Sequence, residues 1–314
     1  MASSRITAFL VASLSLSRWT MANTPTPIQI ADDNRTWENV IEQIKATKGE
    51  RCFADALARR LLQLGDSRTS PMLSELANDR ANPAARACAL SVAAQGYHPG
   101  LLTLFAEAAS DEREPLELRA TCLNPGLRNQ GDAKGAKVAI ALMSHAHPQL
   151  RTSAYFALAG IGGDDALTAL ASRLETDHSY TRVSVVLALN AMRDPRAGTA
   201  LLALLDPTKE SKEIVRNVVL AMTTHRVTAA AQKILPLLAD DDELTRNNAA
   251  EYFAVCPVPE AASGMAEALA KQTDLNVTRA VENYLRNASL SWLRRWRLER
   301  ALAKHGKHEE VAQP

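Results

Sequence analysis

Seven arginines recur along this chain at nearly constant intervals: Arg86, Arg119, Arg151, Arg182, Arg216, Arg246 and Arg279. Successive gaps are 33, 32, 31, 34, 30 and 33 residues. A period in this range, held over most of a chain, restricts the fold to stacked supersecondary units. Each unit is too small to bury its own apolar face and must share it with its neighbours. The clearest unit is PQLRTSAYFALAGIGGDDALTALASRLETD, from Pro148 to Asp177. Its first half sets Leu150, Ala154, Ala157, Leu158 and Ile161 on one helical face. Gly160, Gly162 and Gly163 stop that helix, and Asp164 or Asp165 can cap the next. The second helix offers Leu167, Leu170, Ala171 and Leu174 for burial.

Read this way, the chain is all-α: an α-solenoid, a right-handed superhelix of about eight helix pairs. Only 4% of residues are aromatic while 46% are hydrophobic, so small and straight-chain residues that favour close-packed helices dominate. An acidic, aromatic helix near Trp37 caps the array. Pairs are expected at about 53–78, 83–110, 115–145, 148–176, 179–205, 212–239 and 243–272, then helices at about 276–288 and 290–305. In the third pair Pro125 and Gly126 cut the first helix short, and NPGLRNQGDAKG reads as a longer loop. Three regions result: 1–34, an N-terminal extension or signal-like segment; 35–289, the array with its cap; and 290–314, a basic Trp/Arg helix with a polar tail. The second helices of the pairs are expected to line the concave face.

These phrases resemble the HEAT repeat, in the short form found in phycobilisome-lyase-like proteins, over roughly residues 50 to 290. That form keeps an Asp five residues before the arginine, as Asp177, Asp241 and Asp274 do here. The resemblance implies a structural ladder in which such Asp side chains cap helices and the arginines cross to neighbouring repeats. It also brings in enzymes. The di-iron branch, deoxyhypusine hydroxylase, takes its ligands from His-Glu pairs just after the repeat arginine. Here those positions read Ala87-Cys88, Ala120-Thr121, Thr152-Ser153, Val183-Ser184, Asn217-Val218, Asn247-Asn248 and Ala280-Val281. Only His308-Glu309, in the polar tail, has that pair, so this branch is rejected. A bilin-lyase branch would need a tetrapyrrole groove and a partner chain, and no motif speaks for or against it. A DNA-glycosylase branch needs a basic concave face, and the second helices (ALTALASRLE, AGTALLALL, TAAAQKILPLLA, SGMAEALAKQ) carry few basic residues.

The remaining signals are weaker. With 36 basic and 35 acidic residues the formal charge is +1, which argues against nucleic acid as the principal ligand. Cys52, Cys88, Cys122 and Cys256 form no C-x-x-C pair and read as buried, reduced residues, favouring a reducing compartment. Arg5 precedes an uncharged run from Ile6 to Ser17, long enough for a signal-peptide core and too short to span a bilayer. Cleavage after Ala22 would put Thr20 at an unfavourable position, and Met21 is an alternative start. The expected location is therefore cytoplasmic, with export as the alternative if residues 1–22 are a signal. His145, His147 and His178 lie near one another in repeat register, but no carboxylate accompanies them at fixed spacing, so no metal is expected. No nucleophile elbow, zincin motif or phosphate loop occurs.

The C-terminal helix, SLSWLRRWRLERALAKHGK, sets Trp292 and Trp296 four apart on one face. One reading makes Trp292, Arg294, Arg295, Trp296 and Arg297 contacts for an acidic partner, nucleic acid or an anionic membrane. The reading carried forward has the Trp face cover the last repeat while the Arg face meets water. The resulting expectation is a non-catalytic, monomeric scaffold that binds a protein partner through its concave face, with no cofactor and no transmembrane segment. A partner-dependent lyase-like enzyme, or nucleic-acid binding through the C-terminal helix, is the alternative.

Overall fold

The computed structural model of the protein describes residues 36–48, 52–176, 179–271 and 275–312. Residues 1–34, and with them the signal-like run, lie outside the described residues, as do Asp177, His178 and Asp274. Among the described residues there is no strand. A capping helix, α1 (Trp37–Lys45), precedes eight helix pairs. The first two are α2 (Ala54–Leu64) with α3 (Thr69–Asn78), and α4 (Pro83–Ala94) with α5 (Leu102–Ser110). The third pairs a kinked segment, α6 (Leu116–Thr121) running on to α7 (Arg128–Gln130), with α8 (Ala133–Leu142). Then come α9 (Pro148–Ile161) with α10 (Gly163–Thr176), and α11 (Ser179–Ala191) with α12 (Arg196–Leu201). The last three are α13 (Lys212–Thr224) with α14 (Ala231–Ile234), α15 (Glu243–Val255) with α16 (Ala262–Lys271), and α17 (Leu275–Asn287) with α18 (Trp292–Ala312).

The periodicity that defines each helix also defines its buried face. In α9, Leu150, Ala154, Tyr155, Ala157 and Leu158 are fully buried, and Leu170 of α10 closes over them. The turn between the two helices depends on glycine: Gly162 and Gly163 take φ of 74° and 86°, a left-handed conformation that a side chain would strain. The buried residues form one continuous core from Trp37 to Leu298. A repeat array can extend its core this way without thickening it.

The two rows of helices are unequal. Successive arginine-bearing helices (α9, α11, α13, α15, α17) pack broadly on one another, whereas successive second helices before α16 touch sparsely and are interrupted by 3-10 turns; at the C-terminal end α16 and α18 pack broadly. In a curved stack the closely spaced row lies inside the curve. The concave face is therefore formed by the arginine helices and not by the second helices as the sequence had suggested. The reason is steric: residues such as Ala154, Ala157, Ala188, Ala221 and Ala249 are small and buried, and let the first helices approach closely.

Three further expectations are corrected. Cys52 and Cys88 form a disulfide that joins the start of α2 to α4 across 36 residues; only Cys122 and Cys256 are free, and both are buried. The sequence hid this pairing because the two cysteines meet only once the repeats stack. The third pair contains no long loop. Residues Cys122–Leu127 carry the chain through a kink, extended at Asn124 and with a cis Asn124–Pro125 bond, and α7 follows directly. The kink lets Pro125 sit inside the helical path without a backbone donor, while Gln130 Nε2 donates to the Gly126 carbonyl at 3.3 Å. Finally, the Trp face of α18 does not cover the array. Leu298 is fully buried, with Ala301 and Leu302 packed beside it, while Trp292 remains 75% exposed.

Candidate functional site

The ladder arginines divide by what they hold. Arg86 pairs with Glu114, and Arg182 Nη2 lies 2.7 Å from Glu210 Oε1; each reaches 28 residues ahead into the turn before the next arginine helix. Arg216 reaches forward in the same sense, 3.7 Å from Asp242 Oδ2. Arg151 and Arg246 instead clasp their own preceding turns. Arg151 Nη1 donates to the His145 and Ala146 carbonyls, and Arg246 Nη1 to those of Asp240 and Asp241, at 2.8–3.0 Å. Arg119 Nε donates to the Ala109 carbonyl at 3.1 Å, satisfying the end of the preceding helix. Arg279 is placed differently, with its exposed side chain lining a depression between α15 and α17.

Ser211 caps α13 five residues before Arg216, at the expected register, whereas the caps of α4, α9 and α15 fall one residue later. Asp242, not Asp241, caps α15, its Oδ2 accepting from Thr245 N at 2.9 Å. Those bonds and the nearby Arg216 hold its carboxyl below the ordinary carboxylate range. Asn82 caps α4 and His147 caps α9 at the same position, four residues before the arginine. His147 thus spends its ring nitrogen on a backbone amide, and His145 accepts from His147 N. Among the described residues no group of three or more His, Cys, Asp or Glu side chains converges as a metal site.

Sequence reasoning missed two features. The forward ladder partners Glu114 and Glu210 were overlooked because only Asp was sought near that register. A second set of contacts follows an Asp-x-Arg pattern in the turns, before the second helices α3 and α12 and before the arginine helix α6. Asp66, Asp111 and Asp194 each accept from the backbone and guanidinium of the arginine two residues on, which lowers each carboxyl pKa. Two of these arginines also reach back one repeat, Arg68 to Glu38 at 3.0 Å and Arg196 to Asp164 at 2.6 Å. The repeated D-x-R spacing was visible in the sequence.

On the concave face, α15 and α17 leave an open depression of about 420 Å³. Asn247, Glu251 and Ala254 line one wall; Asn276, Arg279 and Asn283 line the other. These are carboxamides and one charge of each sign, with alanines between them. The Asn247 side-chain oxygen is shut off from water and has no hydrogen-bond partner in the protein, an arrangement that costs stability unless something donates to it.

Stacked helix pairs with an arginine helix on the inside of every turn define an α-solenoid of tandem repeats. Residues 136–211 match the family model described as HEAT repeats, so the chain contains HEAT repeats. The comparison with curated proteins gives no match. Among solved structures the chain is similar to YibA of Escherichia coli, at 12% identity and a TM-score of 0.54, covering 86% of this chain and 100% of that one. An engineered protein gives 18% identity and a TM-score of 0.51, covering 86% of this chain and 77% of that one. The complex of CpcE and CpcF of phycocyanin lyase from Nostoc sp. PCC7120 gives 20% identity and a TM-score of 0.42, covering 65% and 87%. At these identities the likeness is one of fold.

Proposed function

We propose that this protein is a binding scaffold that holds an extended polypeptide segment along the inner face of its arginine helices. The observation that carries this is the open depression between α15 and α17, whose walls bring Asn247, Asn276 and Asn283 together with Glu251 and Arg279. A carboxamide offers both donors and an acceptor, the complement of a peptide group, and Glu251 and Arg279 can select charged side chains on the bound segment. The ladder arginines that are held by carboxylates and carbonyls set the spacing of the inner helices, and they support the groove without lining it.

The test is hydrogen exchange on the full chain, with and without a partner captured from the native host. Protection concentrated on α15 and α17, and loss of capture in Glu251→Arg/Arg279→Glu, is the expected result. Protection confined to the outer helices, or co-purification of a pigment in place of a polypeptide, refutes the reading. The Cys52–Cys88 disulfide supports an oxidising compartment, since such bonds persist where thiols are not kept reduced. It favours export over the cytoplasmic location expected from the sequence. No helix among the described residues is long and apolar enough to cross a membrane.

A further inference from the structure

The first turns of α18 present an aromatic and basic edge that neither the core nor the concave groove uses. Trp292 is 75% exposed, and Trp296 and Leu293 are 46% and 42% exposed. They are large apolar groups brought together at one end of the array, whereas the other exposed large apolar side chains are scattered. Hydrating such a cluster is unfavourable, which marks it as a contact surface. Residues 292–304 hold four arginines and one lysine against Glu299, a net charge of +4. The whole chain carries +1, so everything else carries −3 (1 − 4). The formal charge is thus divided unevenly, with a positive excess on this helix and a negative excess in the rest of the sequence.

We propose that this edge docks on an anionic lipid bilayer surface, so that the solenoid stands on the membrane by its C-terminal end. Indole rings favour the bilayer interface, where the ring meets acyl chain and the N–H stays hydrated. Guanidiniums beside them match lipid phosphates bidentately. The Arg300 guanidinium lies 5.2 Å from the Trp296 ring centroid, covering an aromatic face that a nucleobase would need for stacking. Arg294 is shared with Glu260, 3.9 Å away, which leaves Arg295, Arg297, Arg300 and Lys304 as the principal charges. The rest of the chain, net negative, is repelled by the same surface, so charge alone orients the docked array.

The experiment is sedimentation of the full chain with vesicles of phosphatidylcholine containing one quarter phosphatidylglycerol, against pure phosphatidylcholine vesicles and a DNA duplex. Binding to the anionic vesicles at least about tenfold tighter than to neutral ones is expected, since each basic residue near such a surface adds about a factor of five. A blue shift of tryptophan emission and release by high salt should accompany it. Trp292→Ala/Trp296→Ala should lose the blue shift and most of the binding while keeping the wild-type melting temperature, because both rings are solvent-facing. Arg295→Gln/Arg297→Gln should lose the preference for anionic vesicles. Equal binding to both vesicle types, a tryptophan double variant that binds as well as wild type, or retention on the duplex alone overturns the proposal. None of these outcomes depends on the concave groove, so this proposal and the scaffold reading can fail separately.

Discussion

Opening the Cys52–Cys88 bond removes a crosslink that closes a 36-residue separation around α2, α3 and the start of α4. The chain-entropy relation for a loop of that length gives about 4 kcal/mol of stabilisation, all of it through the unfolded ensemble. In a two-state globule that figure would appear as a global shift. Here each pair packs only on its neighbours, so the loss should fall on α1 to α4 and fade along the array. A difference of about 4 kcal/mol changes an opening equilibrium by several hundred-fold. Hydrogen exchange of native protein against Cys52→Ala, with dithiothreitol-treated wild type as a second arm, reads this directly. Exchange of α1–α4 amides should accelerate by at least about tenfold, allowing for residual structure in the open state, while α13–α16 amides keep their rates. Uniform acceleration along the chain would refute the neighbour-only picture. No change in either arm would refute the crosslink itself.

Three other perturbations have defined outcomes. Tyr252 and Tyr284 are buried on successive inner helices, and their hydroxyls donate to the Val227 and Val258 carbonyls, so each change to Phe should cost about 1 kcal/mol by denaturant titration. Burial pushes the Tyr284 hydroxyl up to about 12, above its unfolded value near 10. Its contribution is therefore complete below pH 10 and lost as pH rises toward 12, and the alkaline fall in melting temperature should be shallower in Tyr284→Phe. Glu210→Ala leaves Arg182, whose Nε already lacks a partner, without its carboxylate; about 1–2 kcal/mol is expected for this half-buried pair. A double-mutant cycle with Arg182→Met should recover a coupling, and additivity would show that the pair contributes nothing. At Gly198 an added methyl group would lie 2.6 Å from His225 Cβ and 2.7 Å from Val227 Cγ2. Gly198→Ala should thus lower the melting temperature, despite the higher helix propensity of alanine, by overpacking worth about 1–3 kcal/mol. A rise would mean that this contact relaxes freely.

What the sequence made legible is what repeats. The arginine period, the Gly162–Gly163 stop and the alternation of apolar faces are local patterns, and they located eight pairs with boundaries close to those observed. Which row lies inside the curve is not local. It depends on how closely small buried residues in adjacent repeats approach, a comparison between helices about 30 residues apart. The disulfide escaped for a related reason, as Cys52 belongs to the turn before the first pair and Cys88 to the first arginine helix. At the C-terminus the sequence reading set Trp292 and Trp296 against the last repeat, whereas the buried face carries Leu298 with Leu302 beside it. The aliphatic face won because it meets α16 without having to bury neighbouring guanidiniums. Of the residues that line the depression, Arg279 belongs to the arginine period, while Asn247 and Glu251 follow no periodic rule.

The inequality of the two helix rows also sets how the array deforms. A closely packed inner row resists both compression and sliding, while the sparse outer row can open or close at little cost in contact area. Bending about the inner row is then the softest motion, with the arginine helices acting as the spine and the second helices as an expandable back. Small tilts at successive joints add, so the groove can widen or narrow as a whole without any side chain leaving its rotamer. An array built this way changes its radius of curvature before it changes its local packing.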